Sequence, residues 1–219
     1  MADLPLIHFL DFEGSRRSGV VEFGWATAKG DRIIDAGTAL CAPEGGSIAS
    51  EETAVHHLRP EDVADQPPFR THWDTFAHLR ETGLLAAHHA PVENSFLKQV
   101  WPYPRTSPAF DGTERQTTDW APWIDTRRLA ENLYPSLVSS RLGDLIPAFR
   151  LEQDLAMLAD CWCPAHRRKP HCALYDALAS ALLFFAWRDE PAFRHRDGAW
   201  WLHQSRPSAP PGRQDELRI

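Results

Sequence analysis

Acidic side chains stand at three separated points of this sequence where strands would end and helices begin. Asp11 and Glu13 close the run Leu6-Ile7-His8-Phe9-Leu10-Asp11-Phe12-Glu13. Glu93 follows Ala87-His88-His89-Ala90-Pro91-Val92, and Asp176 ends the stretch His171-Cys172-Ala173-Leu174-Tyr175-Asp176. In an alternating strand Asp11 and Glu13 share a face. Two anions so placed repel strongly unless a cation lies between them or one keeps its proton. A bound divalent metal answers that repulsion, and a ring of carboxylates with one histidine suits Mg²⁺ or Mn²⁺ better than Zn²⁺. Taken alone, an Asp-x-Glu more often just ends a strand in solvent, so the weight rests on the three segments together.

The elements that must position these groups can be read in order. In the opening run Ile7, Phe9, Asp11 and Glu13 share one face, while Leu6, His8, Leu10 and Phe12 share the other. Both faces are mostly apolar, which predicts a central strand covered on both sides. Residues 14–19 form a polar turn, and strands are predicted at 20–27 and 32–41 with short links that imply antiparallel neighbours. The polar stretch 51–66 begins with a short helix, and Pro67-Pro68 breaks the chain. Phe69, Trp73, Phe76 and Leu79 then fall at helical spacing over 69–81. The run 84–87 is predicted as a buried strand, and 91–100 as a helix that starts at its proline. Glu93 therefore lies in the first turn of a helix just after a strand. Residues 101–123 read as an irregular insertion. A short strand at 124–125 follows, then helices over 126–133, 141–149, 153–161 and 173–187. His171 falls in the loop before the last helix and Asp176 in its early turns. Sites in open α/β sheets form at the carboxyl ends of strands and beside helix N-termini, so the three segments can converge. Early strands followed by helix–strand–helix units predict a mixed α/β sheet with helices on both faces.

The 219 residues, 43% hydrophobic and 24% charged, suit one domain large enough to bury a core without staples. The longest apolar run, 181–187, is too short for a bilayer and nothing reads as a secretory leader, so no membrane association is expected. Four cysteines are too few for a disulfide framework and point to a reducing, cytoplasmic setting. A net charge of −7 argues against gripping a long duplex through its phosphates, but not against holding a few nucleotides. Residues 205–219, rich in Pro, Ser, Gly and charge, are expected to form a disordered tail.

The ordered set of motifs resembles the DEDDh 3′→5′ exonucleases, a superfamily that includes polymerase proofreading subunits, RNase T and oligoribonucleases. The resemblance rests on Asp11-x-Glu13, then Ala87-His88-His89-Ala90 through Glu93 to Phe96-Leu97, then His171 and Asp176. Between the motifs, the segments 57–69 and 124–130 are also family-like, so the likeness covers roughly residues 6–187. It implies a ribonuclease H-like, five-stranded mixed sheet and one exonuclease domain over 1–204. It further implies a two-metal hydrolysis of nucleic-acid 3′ ends, single-stranded DNA or RNA, releasing nucleoside 5′-monophosphates. By position, Asp11, Glu13, Glu93 and Asp176 would bind two divalent cations, Mg²⁺ or Mn²⁺. His171 would be the general base, and the backbone of Phe12, Gly14 and Ser15 would lie beside the terminal nucleotide. The chain departs from the pattern at two places: Glu93 stands where the family has Asp, and His89 where it has Asn. The extra methylene moves the carboxylate by roughly 1.5 Å along the side chain.

Other readings stay open at this level. An exonuclease fold used mainly to bind nucleic acid, with weak activity, is the alternative that Glu93 raises. Cys161, Cys163, His166 and Cys172 offer a zinc site whose spacing matches no standard knuckle. Trp101, Tyr103, Phe110, Trp120 and Trp123 could stack on bases, but covering core is the favoured reading. Arg16, Arg17, Arg167, Arg168 and Lys169 flank the motifs as candidate phosphate contacts. Trp200-Trp201 suggests a C-terminal strand or a contact in a homodimer.

Overall fold

The computed structural model describes residues 4–207. Three antiparallel strands open the chain: β1 (Leu6–Ser15), β2 (Gly19–Lys29) and β3 (Arg32–Leu40). Two short helices, α1 (Ser50–His56) and α2 (Pro60–Val63), lead through a 3₁₀ turn at Phe69–His72 into α3 (Trp73–Thr82). Next come β4 (Gly83–Ala87) and α4 (Pro91–Val100). A small hairpin, β5 (Ser107–Pro108) and β6 (Gln116–Thr117), precedes β7 (Trp123–Asp125) and α5 (Thr126–Leu133). The chain finishes with α6 (Leu142–Ala148), α7 (Glu152–Trp162), α8 (Ala173–Asp189) and α9 (Gly198–Gln204).

The main sheet has five strands in the order β3-β2-β1-β4-β7, with β4 parallel to β1 and β7 parallel to β4. The mixed α/β sheet predicted from the sequence is therefore present. β1 is central because both of its faces are apolar. Ile7 and Phe9 join a core with Phe184, Leu178 and Trp187 of α8, while Leu10 and Phe12 join Phe69, Phe76 and Phe96 on the other side. Phe12 meets all three of those rings edge-on, the arrangement that aromatic quadrupoles favour.

The insertion is more ordered than its composition suggests. Arg80 of α3, 1% exposed, donates to the carbonyls of Pro108 (2.9 Å), Asp119 (3.1 Å) and Ala121 (3.1 Å). Those bonds satisfy backbone acceptors that a buried loop cannot leave unpaired. Trp101 and Trp120 pack on Trp73, as the core-covering reading expects, and Trp123 donates from Nε1 to Asn94 Oδ1 at 3.3 Å. Tyr103 is exposed.

The strand suggested for Trp200-Trp201 is not there. Asp197 caps α9 by accepting the Trp200 N–H at 2.8 Å, and Trp201 is fully buried against Phe184. The aromatic pair has strand-like propensity, but the cap and the core set the local conformation. Trp201 is thus part of the domain core, while Trp200 is half-buried. Ser205 is also buried and bonds back to the Trp201 carbonyl at 2.9 Å. From 208 onward the expected tail lies outside the described residues. Among the described residues no helix is long and apolar enough to cross a membrane.

Candidate active site

β1 pairs with β4 only as far as Phe9 opposite Ala86. Asp11 and Glu13 therefore project beyond that pairing, at the carboxyl ends of two parallel strands. A bulge follows at once: the register shifts between Glu13 and Gly14, where φ is +137°. A Cβ on Gly14 would lie 2.1 Å from the Gly19 carbonyl oxygen, so glycine alone permits this turn of the strand.

Across the sheet from Asp11 stands Gly24 of β2. A Cβ there would sit 2.2 Å from the Leu174 nitrogen. The first turn of α8 lies directly on bare backbone, and this close approach carries Asp176 to the end of β1. Among the described residues, Glu13, His171 and Asp176 form a group whose ligand atoms lie within 4.8 Å of one another. Asp11 and Glu93 fall outside that tight set, but its charges act on both. Burial, followed by the anions of Glu13, Asp176 and Glu93, pushes the Asp11 carboxyl well above the usual carboxylate range. Burial and then Asp176 and Glu22 raise Glu13 to about 8, with Arg167 opposing. Burial raises Asp176 to about 7, although the His171 N–H bonded to it favours the anion. Acids gathered in this way require protons or a cation.

Glu93, 4% exposed, lies in the first turn of α4 as its sequence context predicts. Its Oε2 is buried without a hydrogen-bond partner. Burial first, then Asp125 and Glu13, push its carboxyl well above the ordinary range. The turn ahead of it is set by Asp125, whose Oδ1 accepts from the backbone of His89 (3.1 Å), Arg127 (3.0 Å) and Arg128 (3.2 Å). One carboxylate thereby caps α5 and holds His89 at φ +80°. His88 lies deeper, with Nδ1 3.0 Å from Thr126 Oγ1 and Nε2 donating to the Ser140 carbonyl at 2.9 Å. Burial lowers it to about 4, so this histidine is a neutral structural link.

A cleft of about 800 Å³ opens from His171 and Asp176 along His89, Arg127, Arg141 and Ile146. The Phe12 ring packs into the core against Phe69, Phe76 and Phe96. Ser15 Oγ accepts from the Arg17 and Ser18 amides at 3.0 and 3.1 Å, which closes the hairpin.

Arg167 is not the exposed phosphate contact expected from the sequence. It is 6% exposed and forms a buried ion pair with Glu22, 7% and 2% exposed at the side chains. Arg16, Arg17 and Lys169 are exposed, while Arg168 pairs with Asp160. The cysteines and His166 form no metal group among the described residues; Cys41, Cys161, Cys163 and Cys172 are free thiols. Glu22, Gly24 and Asp125 escaped the sequence reading. Asp125 carried a detectable signal, an acid directly ahead of a predicted helix. Glu22 sits two strand positions from Gly24, and nothing in that spacing marks either residue.

The RNase T family profile, described as an exonuclease, matches residues 12–184. No curated protein matches the sequence. Among solved structures, the chain is similar to Exonuclease X in complex with 5′ overhanging duplex DNA, with 21% identity and a TM-score of 0.61 over 85% of this chain and 93% of that one. It is also similar to the nuclease domain of 3′hExo, a DEDDh family member bound to rAMP, with 16% identity and a TM-score of 0.57 over 88% and 96%. Exonuclease I matches with 14% identity and a TM-score of 0.59 over 85% of this chain and 41% of that longer one. At these identities the structural likeness is one of fold.

Proposed function

The chain belongs to the RNase T exonuclease family, and from that membership we propose that it is a metal-dependent 3′→5′ exonuclease acting on DNA or RNA. It hydrolyses the last phosphodiester by a two-metal mechanism and releases nucleoside 5′-monophosphates. The observation that supports this most is the convergence of Glu13, His171 and Asp176, from the first strand and the last long helix, within 4.8 Å at the sheet's carboxyl end.

The residues present fit a pair of hard divalent cations. The donors are carboxylates with one imidazole, and the buried, unpartnered Oε2 of Glu93 is an acceptor that lacks a positive partner. Asp11, Glu13, Glu93 and Asp176 would hold the ions, Mg²⁺ or Mn²⁺. When bound, such ions lower the pKa of water and stabilise the charge of the in-line displacement.

The chain's own groups supply the rest. His171 is exposed beside the carboxylates, where a neutral imidazole can take the proton of the attacking water. The main chain at Phe12, Gly14 and Ser15 borders the terminal nucleotide. The cleft past His89 receives the strand, with Arg127 and Arg141 at hand for phosphates. A few such contacts suffice for a short single-stranded end, in keeping with the acidic net charge of −7.

The test is a panel of 5′-labelled single-stranded and duplex DNA and RNA, each with Mg²⁺ or Mn²⁺, for the wild type and Asp11→Asn. The expected result is a ladder of shortened products from the wild type and none from the folded variant. Tight oligonucleotide binding without turnover in either metal would replace this reading with that of a binding module.

A further inference from the structure

His171 has φ +60°, in the left-handed region that a non-glycine residue occupies only where its surroundings over-determine it. Both of its backbone groups are held. Its N–H donates to Asp176 Oδ2 at 3.0 Å, and its carbonyl accepts from Arg167 Nη2 at 3.5 Å, the long end of a hydrogen bond. Three further bonds of the Arg167 fork go to groups far away in sequence. Nε donates to Glu22 Oε1 at 3.0 Å, Nη2 donates to Glu22 Oε2, and Nη1 donates to the His56 carbonyl at 3.0 Å. Glu22 Oε2 in turn accepts the Ala173 N–H at 3.1 Å. A single buried ion pair thus grips the chain at His171 and just after it: at the His171 carbonyl through Arg167, and at the start of α8 through Glu22. The anchor points are Glu22 on β2 and the His56 carbonyl at the end of α1.

Glu22 lies directly opposite Glu13 in the β1–β2 register. The acid of the pair is therefore on the strand directly beside the one that carries Asp11 and Glu13. A surface loop needs no such support, because a solvated loop satisfies its backbone with water. Burying two charges is costly unless further hydrogen bonds satisfy them, and here those bonds all go to backbone around His171 and the end of α1.

We infer that Arg167, paired with Glu22, is a positioning residue for His171. The pair clamps the loop ahead of α8 in the strained conformation that sets the imidazole beside Glu13 and Asp176. The catalytic consequence rests on the exonuclease reading above; the clamp itself does not.

Two measurements on the full chain keep these separate, both using Arg167→Lys. Lysine keeps a charge beside Glu22 but cannot span Glu22, His56 and His171 with one ammonium group. The first measurement is amide hydrogen exchange resolved at single residues. The clamp requires faster exchange at His171 and Ala173, by about tenfold or more, with β1 and β4 unchanged. Unchanged protection at those two amides would overturn it. The second is a double-mutant cycle with His171→Ala, read as kcat and KM on a single-stranded oligonucleotide. In the wild-type background Arg167→Lys should lower kcat by about tenfold or more, with KM little changed; in the His171→Ala background it should add nothing. An equal loss in both backgrounds would mean that Arg167 merely stabilises the fold. If the wild type degrades no oligonucleotide, the functional reading fails, while the exchange result still decides the clamp. Should Arg167→Lys lose cooperative melting, Glu22→Gln carries the same two expectations.

Discussion

Replacing Gly24 with alanine perturbs the site without touching any proposed ligand. The new Cβ would lie 2.2 Å from the Leu174 nitrogen and 2.4 Å from its Cα, whereas ordinary contact begins at 3.4 Å. Either α8 or β2 must therefore give way by roughly 1.2 Å, and both are backbone, with no flexible side chain to absorb the shift. Overpacking of this kind costs about 1–3 kcal/mol, which for a chain of this size lowers the melting temperature by roughly 2–12 °C. The functional effect should be larger, because Asp176 and His171 move with the start of α8 while Asp11 and Glu13 stay on β1. A misplacement near 1 Å costs about a hundredfold in rate. The assay is the initial rate on a 5′-labelled single-stranded oligonucleotide at saturating Mn²⁺, with thermal melting alongside. Unchanged rate and melting would refute the claim that bare backbone at Gly24 sets the distance between β1 and α8. Lowered melting with full activity would show that the contact matters for stability but not for the site.

Other expected outcomes follow from the same geometry. In EDTA, Glu13 and Asp176 are raised from 4.5 and 3.8 to about 8 and about 7, so the folded chain holds protons that the unfolded chain releases. Their stabilising effect is full below about pH 4 and is lost as pH rises through 7–8. The melting temperature of the metal-free protein should fall over that window. Saturating Mn²⁺ should flatten the slope and add about 2.7 kcal/mol at a hundredfold excess over Kd; a flat metal-free profile would contradict the crowding of acids. Arg80→Ala strands the carbonyls of Pro108, Asp119 and Ala121 and should cost about 3 kcal/mol or more by urea unfolding. Asp125→Ala removes the cap of α5 and the hold on His89, for about 0.5–2 kcal/mol in stability. Calorimetry should also show metal affinity weakened by about 10–100-fold, since Asp125 supports the turn that carries Glu93. Glu93→Asp should keep activity and alter the ratio of the Mg²⁺ to Mn²⁺ rates.

What could be read from the sequence was what periodicity and local signals encode. The two apolar faces of residues 6–13 placed β1 at the centre of the sheet, and Pro91 marked the start of α4 with Glu93 in its first turn. The mixed sheet followed from the order of these elements. Contacts between distant segments were not legible. Nothing beside Gly24 in sequence says that Leu174 will press on it, and nothing around Arg167 says that it will be drawn inward by Glu22. A run of Arg167-Arg168-Lys169 in a polar loop looks like solvated charge, and only the tertiary pairing separates Arg167 from its neighbours. Trp200-Trp201 misled for the opposite reason: strong local propensity was overridden by the Asp197 cap and by the burial of Trp201 against Phe184.

The most direct test of the account is the identity of the first product. An oligonucleotide with a unique 3′-terminal base is digested in H₂¹⁸O with Mg²⁺ or Mn²⁺, quenched within the first turnover and analysed by mass spectrometry. A 3′→5′ exonuclease that activates water releases the 5′-monophosphate of that terminal nucleoside, carrying one ¹⁸O atom on phosphorus. A 3′-phosphate, an internal fragment or release from the 5′ end would contradict it.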